Sequence, residues 1–250
     1  MNNNLTELVY IIDMSGSMSG LTNDTINGYN NMLEEQRKLN KENSALKANV
    51  TTVFFDDRYI VVHDREDLDK VRNITNKDYS PLGMTAMLDA VGRTIVSVGQ
   101  KLAATPEEER PGLVSVTIIT DGQENYSKEY KWDTIQDMIK EQREKYSWLF
   151  TFIGANIDTE RTAESMGIDK NMTATWTCTA DGINTVYTSL NNATLSARSC
   201  VSATSGSIAD AACYYTEAVK SINVDTKKHS SISSYTYTDN DGYISIGGND

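Results

Sequence analysis

The chain has 250 residues, a net charge of −12 and 39% apolar residues, enough to build a sizeable core in one α/β domain with an extension, or in two small domains. A chain this acidic lacks the positive field that phosphate backbones require, which excludes general nucleic-acid binding and leaves cations or a basic partner as its counterparts. Its three cysteines, Cys178, Cys200 and Cys213, show no CxxC spacing, which argues against a zinc or disulfide framework and for a reducing compartment.

The N-terminal stretch MNNNLTELVYIID has no basic segment followed by a long apolar one, so no signal peptide is expected. No run approaches a membrane span, and the expected location is cytoplasmic. Residues 5–13 read as a buried strand that ends on Asp13, followed by the loop MSGSMSG. From Leu21 the apolar spacing becomes helical, with Ile26, Tyr29, Leu33 and Gln36 on one face. Residues 48–57 and 58–64 read as two strands joined by the acidic turn Asp56-Asp57, a hairpin that supplies one antiparallel edge strand. Residues 81–103 open with turn residues and continue as a helix with Met87, Val91, Ile95 and Val98 on one side.

A charged loop (106–112) leads to a buried strand (113–122) that again ends on an acid. A helix (134–146) follows, then a strand (148–156) whose Trp148, Phe150 and Phe152 are expected in the core. A short helix (159–168) with a glycine stop, a last strand (174–178) and a helix (183–199) complete the pattern. After residue 200 the composition turns to Ser, Thr, Asp and Gly, and only a short helix over 210–222 is expected. The reading is therefore a domain over 1–200 and a partly ordered extension over 201–250.

Strands alternating with helices predict a doubly wound, mostly parallel sheet with helices on both faces. Ligands bind such sheets at the carboxyl ends of strands, where the strand order reverses. Asp13 and Asp121 both fall at strand ends. Ser15 and Ser17 follow the first of them, and Thr85 sits where a Gly-Met-Thr turn opens a helix. If the strands of Asp13 and Asp121 are neighbours, Asp13, Ser15, Ser17, Thr85 and Asp121 converge. Two carboxylates and three hydroxyls, with no His or Cys, form an all-oxygen set suited to Mg²⁺, with Mn²⁺ or Ca²⁺ as alternatives. Neutral hydroxyls leave the ion electrophilic, with a coordination position open to a carboxylate from a partner. The competing roles for these residues are helix caps for the hydroxyls and an Asp-Gly turn for Asp121.

The segments DMSGSM, PLGMTAMLDAV and TIITDGQEN, together with the strand and helix order over residues 5–200, resemble the von Willebrand factor type A domains and their metal-ion-dependent adhesion site. The resemblance implies a Rossmann-like fold. It also implies metal contacts from Ser15, Ser17 and Thr85, with Asp13 and Asp121 often acting through water. Met84 departs from the glycine many members carry before the threonine, but removes no ligand oxygen. The segments NDTINGYNNMLEEQRK and FIGANIDTERTAESMGI resemble bacterial and phage intracellular members, which implies a protein partner such as an AAA+ ATPase.

Gln123, Glu124 and Asn125 are expected on the rim against a partner, with Tyr126 and Tyr130 beside them. Asp89, one helical turn after Thr85, is expected to orient the site from behind. The function expected is a non-catalytic, metal-dependent protein-binding module. The alternative is a metal-dependent phosphohydrolase, for which Glu124 is the one nearby base. A dehalogenase-type phosphotransferase needs an acid where Ser15 stands, a hydrolase elbow fails at Met18 in GSMSG, and no phosphate-cradling GxxxxGK[ST] occurs. His63 and His229 are expected at the surface. The stretch YTDNDGYISIGGND has the middle of a calcium loop (Asp239, Asp241, Gly242, Ile244) but lacks the first ligand and the closing glutamate.

Overall fold

The computed structural model describes residues 1–203 and 206–233, with the backbone alone from 228. The calcium-like stretch at Asp239 to Ile244 and the side chain of His229 lie outside the described residues.

The apolar run at the N-terminus makes the central strand, β1 (Asn2–Asp13), which is buried from Thr6 onward. Its side chains alternate between two layers. Leu8, Tyr10 and Ile12 enter one, Val9 and Ile11 the other. Burial on both faces is why the strand reads as an unbroken apolar run. It pairs in parallel with β2 (Lys47–Phe55) and β4 (Pro111–Thr120). Strands β5 (Leu149–Gly154) and β6 (Thr173–Thr175) continue in parallel beyond β4, and β3 (Tyr59–Asp67) runs antiparallel to β2. The order is β3-β2-β1-β4-β5-β6, so it reverses between β1 and β4.

The β2–β3 turn forms as its acids suggest: the buried Asp56 carboxylate accepts the Arg58 amide at 2.6 Å and pairs with its guanidinium. The β2–β3 register slips twice, around Thr52, and Arg65 takes a left-handed φ of 51°. His63 is a correction to the surface role expected of it. The register turns it inward opposite Thr52, and its Nδ1 lies 3.0 Å from the Thr52 hydroxyl.

Helices α1 (Thr22–Glu42), α5 (Ala180–Ser202) and α6 (Ile208–Ser233) cover one face. Helices α2 (Met87–Ala104), α3 (Trp132–Tyr146) and α4 (Thr159–Ser165) cover the other. The expected faces are the buried ones: Ile26, Tyr29, Leu33 and Gln36 on α1, Met87, Val91, Ile95 and Val98 on α2. Trp148, Phe150 and Phe152 are in the core.

Helix α2 starts at Met87, after the turn residues expected to precede it. The residues before it form a loop tied to the tip of β1, with Leu82 donating to the Met14 carbonyl at 3.0 Å and Gly16 to the Gly83 carbonyl at 3.2 Å. Gly83 holds φ +80°, and a Cβ there would meet Asp57 Oδ1 at 2.2 Å, so this turn requires glycine.

The boundary expected near residue 200 does not fall there. Helix α6 is longer than the 210–222 segment, and its Ala211, Tyr215, Ala218, Val219 and Ile222 are buried in the same core as β1 and α5. Alanines on a helix face give a weak apolar signal, which is why the packing face is hard to see in the sequence.

A polar network lies between α1 and α5. The buried Arg198 donates to Gln36 Oε1 at 2.9 Å, to the Gln36 carbonyl at 3.2 Å and to Asn40 Oδ1, while Gln36 Nε2 reaches Asn191 Oδ1 at 2.9 Å.

Candidate metal centre

Asp13 is the last residue of β1 and is fully buried. Its Oδ1 accepts the Ser15 amide at 2.7 Å and its Oδ2 accepts the Thr120 hydroxyl at 2.6 Å. Its carbonyl accepts the Tyr79 hydroxyl at 2.7 Å. The chain then turns through a 3-10 segment, Gly16–Leu21, which sets the Ser15 and Ser17 hydroxyls 3.1 Å apart. Ser17 donates to Asp121 Oδ1 at 2.5 Å, across the gap between β1 and β4. Thr85 arrives from the loop before α2. Its amide donates to Asn125 Oδ1 at 2.9 Å, and its carbonyl accepts the amides of Asn125 and Tyr126 at 3.0 and 3.1 Å.

Gly122 locates the meeting point. A Cβ on it would lie 3.3 Å from Thr85 Oγ1, 3.6 Å from Ser17 Oγ and 3.9 Å from Asp13 Oδ2. The five residues singled out in the sequence therefore surround one small space, within reach of a single hydrated ion.

The capping roles of the hydroxyls fail on geometry. Neither α1 nor the 3-10 turn carries a side-chain cap, and neither does α2. The Leu88 amide in the first turn of α2 is instead taken by Glu124 Oε2 at 2.9 Å. The three hydroxyls are left pointing into the cluster.

The electrostatics fit a cation. Asp13 and Asp121 are both buried, and their side-chain contacts are amide, hydroxyl and thiol groups without charge. Burial pushes the Asp13 carboxyl up to about 6, opposed by the Thr120 and Ser15 hydrogen bonds and reinforced by the charge of Asp121. Two buried acids this close need a counter-charge, and an oxygen-only donor set suits a hard divalent ion. Among the described residues no group of three or more His, Cys, Asp or Glu side chains is placed to hold a metal, so this hydroxyl-rich cluster is the candidate.

The rim residues divide. Gln123 is exposed. Glu124 faces inward, its carboxylate accepting the amides of Leu88, Tyr126 and Ser127 and the Ser127 hydroxyl. Asn125 holds Thr85, as described. Asp89 accepts the amides of Lys128, Glu129 and Tyr130 at 2.9 Å each, so it acts on the 121–131 loop and not on the hydroxyls. The Tyr130 ring packs over Gly92, where a Cβ would meet it at 2.5 Å. Tyr126 is partly exposed, with the Lys128 ammonium 4.2 Å from its ring centre. Met84 and Leu82 stand out into solvent beside Thr85, so Met84 does not crowd the cluster.

Three contributors escape a reading of the sequence. Thr120 and Tyr79 fix Asp13, and the Cys178 thiol donates to Asp121 Oδ2 at 3.6 Å. Burial pushes that thiol up, which keeps it a proton donor. Thr120 has a local signal, a hydroxyl next to the strand-ending acid. Tyr79 and Cys178 reach the site only through the topology.

Comparison with solved structures places this architecture. The chain is similar to proximal thread matrix protein 1 from the mussel byssus, solved with a zinc-occupied MIDAS motif, at 16% identity and TM-score 0.50, covering 76% of this chain and 46% of that one. The fold is the von Willebrand factor type A fold. A D319A mutant of the PilB minor pilin from Streptococcus sanguinis is similar to this chain at 11% identity and TM-score 0.54, covering 78% and 62%. A von Willebrand factor type A protein from Catenulispora acidiphila matches at 13% identity and TM-score 0.49, covering 76% and 42%. The chain thus spans roughly half of the length of these solved chains. No family model and no curated protein matches the sequence. Among the described residues no helix is long and apolar enough to cross a membrane.

Proposed function

We propose that this chain is a divalent-cation-dependent protein-binding module that performs no catalysis. Ser15, Ser17 and Thr85 would hold the ion, with Asp13 and Asp121 supplying charge, and Mg²⁺ is the ion the oxygen set favours over Mn²⁺ or Ca²⁺. When bound, the ion supplies an electrophilic position for a carboxylate of a protein partner. Bacterial or phage origin, a cytoplasmic location and an AAA+ ATPase as partner belong to the same reading, which the sequence resemblance suggests.

The observation that carries it is the convergence of Thr85, Ser17 and Asp13 oxygens on the space beside Gly122. The phosphohydrolase alternative is weaker because Glu124, its one candidate base, is held by four hydrogen bonds, three within its own loop and one from the first turn of α2. The decisive experiment is affinity capture of partners by wild type and Thr85→Ala, each with Mg²⁺ or with EDTA. Partners retained by wild type in Mg²⁺ and lost in the other three conditions support the proposal. Capture indifferent to both changes, or phosphoester turnover that Asp13→Ala abolishes, would reject it.

A further inference from the structure

The rim of the oxygen cluster carries side chains that an ion in the cluster does not use. Leu82 is 68% exposed, Met84 46% and Tyr126 38%. Their main chain is held in place. The Leu82 amide donates to the Met14 carbonyl at 3.0 Å, and the Gly83 carbonyl, between Leu82 and Met84, accepts the Gly16 amide at 3.2 Å. Met84 directly precedes Thr85, and the Tyr126 amide donates to the Thr85 carbonyl at 3.1 Å. The backbone therefore sets all three residues beside Ser15, Ser17 and Thr85. The same stretch buries Tyr79, Ala86, Met87 and Leu88. It has access to the interior and still leaves Leu82 and Met84 outside. Apolar groups fixed around a polar contact point mark a recognition surface, because excluding water strengthens the contact they surround.

The charge on this rim is unbalanced as well. The Lys128 ammonium lies 4.2 Å from the centre of the Tyr126 ring. Arg58 and Arg93 pair with Asp56 and Glu129, whereas Lys128 has no carboxylate partner among the described residues. In a chain of net charge −12, an unpaired cation beside the cluster is a place for an acid from outside.

We propose that this rim selects the protein partner. The segment it fits carries an apolar side chain that packs on Leu82 and Met84, a carboxylate for the bound ion, and a second acid for Lys128. An extended segment presents alternate side chains on one side, about 7 Å apart. The partner motif is therefore apolar–x–acid–x–acid, in one chain direction or the other. The inference rests on the metal-dependent reading above and adds to it which acidic segments are accepted.

The probes are synthetic peptides, acetylated and amidated, with the cores Leu-Gly-Asp-Gly-Glu and Glu-Gly-Asp-Gly-Leu, together with versions in which Gly replaces Leu or Gln replaces Glu. Each is titrated calorimetrically into the full chain with Mg²⁺. In at least one direction the Leu peptide is expected to bind about tenfold more tightly than its Gly version, the effect of one buried leucine. Leu82→Ser/Met84→Ser is expected to erase that difference while the affinity for Mg²⁺ alone stays at the wild-type value. Replacing Glu by Gln in the peptide is expected to weaken binding to wild type about threefold, and to change nothing in Lys128→Gln. Binding that needs Mg²⁺ and Thr85 but is equal for the Leu and Gly peptides overturns this inference and leaves the binding-module reading intact. So does a Leu preference that survives Leu82→Ser/Met84→Ser. The absence of binding by every peptide overturns the inference too. Binding indifferent to both EDTA and Thr85→Ala overturns the inference and the metal-dependent reading together.

Discussion

Two buried polar clusters in this molecule differ in completeness. Between α1 and α5, Arg198, Gln36, Asn40 and Asn191 supply one another's partners, and Arg198 Nε is the one fully buried side-chain atom of that set without one. At the tips of β1 and β4 two acids are pressed together among neutral donors, and three hydroxyls face a space that a single Cβ would intrude on. A network that closes on itself fixes how helices pack. One that gathers uncompensated charge around a gap is built for something that arrives from outside.

Four measurements break or sharpen that contrast. The largest effect is expected from Arg198→Met, which strands the Gln36 and Asn40 acceptors in the interior. Urea unfolding should lose about 3 kcal/mol, while calorimetric Mg²⁺ affinity stays at the wild-type value. Thr85→Ala should do the reverse. Mg²⁺ affinity should fall about 100-fold, and the metal-free stability should stay within about 1 kcal/mol of wild type. Equal losses in both assays for either variant would erase the distinction.

Acidity comes next. The Asp13 carboxyl titrates in the fold at about 6, above its ordinary 3.8. A proton there competes with the cation, so Mg²⁺ affinity should drop about tenfold between pH 7 and pH 5. The sign for the metal-free chain is opposite. The raised carboxyl destabilises the fold above about pH 6, and that penalty is relieved as pH falls towards 4. Thermal unfolding in EDTA across this range reads the second half of the prediction. The smallest change is expected from Asn125→Ala, which loosens Thr85 without removing a ligand oxygen. A weakening of about threefold is expected, a single neutral hydrogen bond's worth.

Much of this was legible in the residues. Asp13, Ser15 and Ser17 are neighbours in sequence, so their alternation exposes them. Thr85 and Asp121 are visible because each sits at an element boundary in a parallel-sheet pattern, and the strand order brings them in. What could not be read depends on which side chain wins a local competition. Glu124 sits on the rim in sequence but turns inward because four donors surround its carboxylate. Asp89 is one turn from Thr85, yet three amides of the 128–130 segment claim it. His63 turns inward because a register slip, invisible in the alternation of YIVVHD, chooses its face.

The sheet margins carry one last consequence. On one side β3 is kinked by slipped pairing and the left-handed Arg65, and it ends in the charged run Asp64 to Asp67. On the other, β6 is three residues long and its last main-chain groups are bonded to α6. Neither flank offers a neighbouring molecule a ribbon to zip onto. Among the described residues, association by strand addition is disfavoured at both margins, which leaves loops and helix surfaces for higher-order assembly.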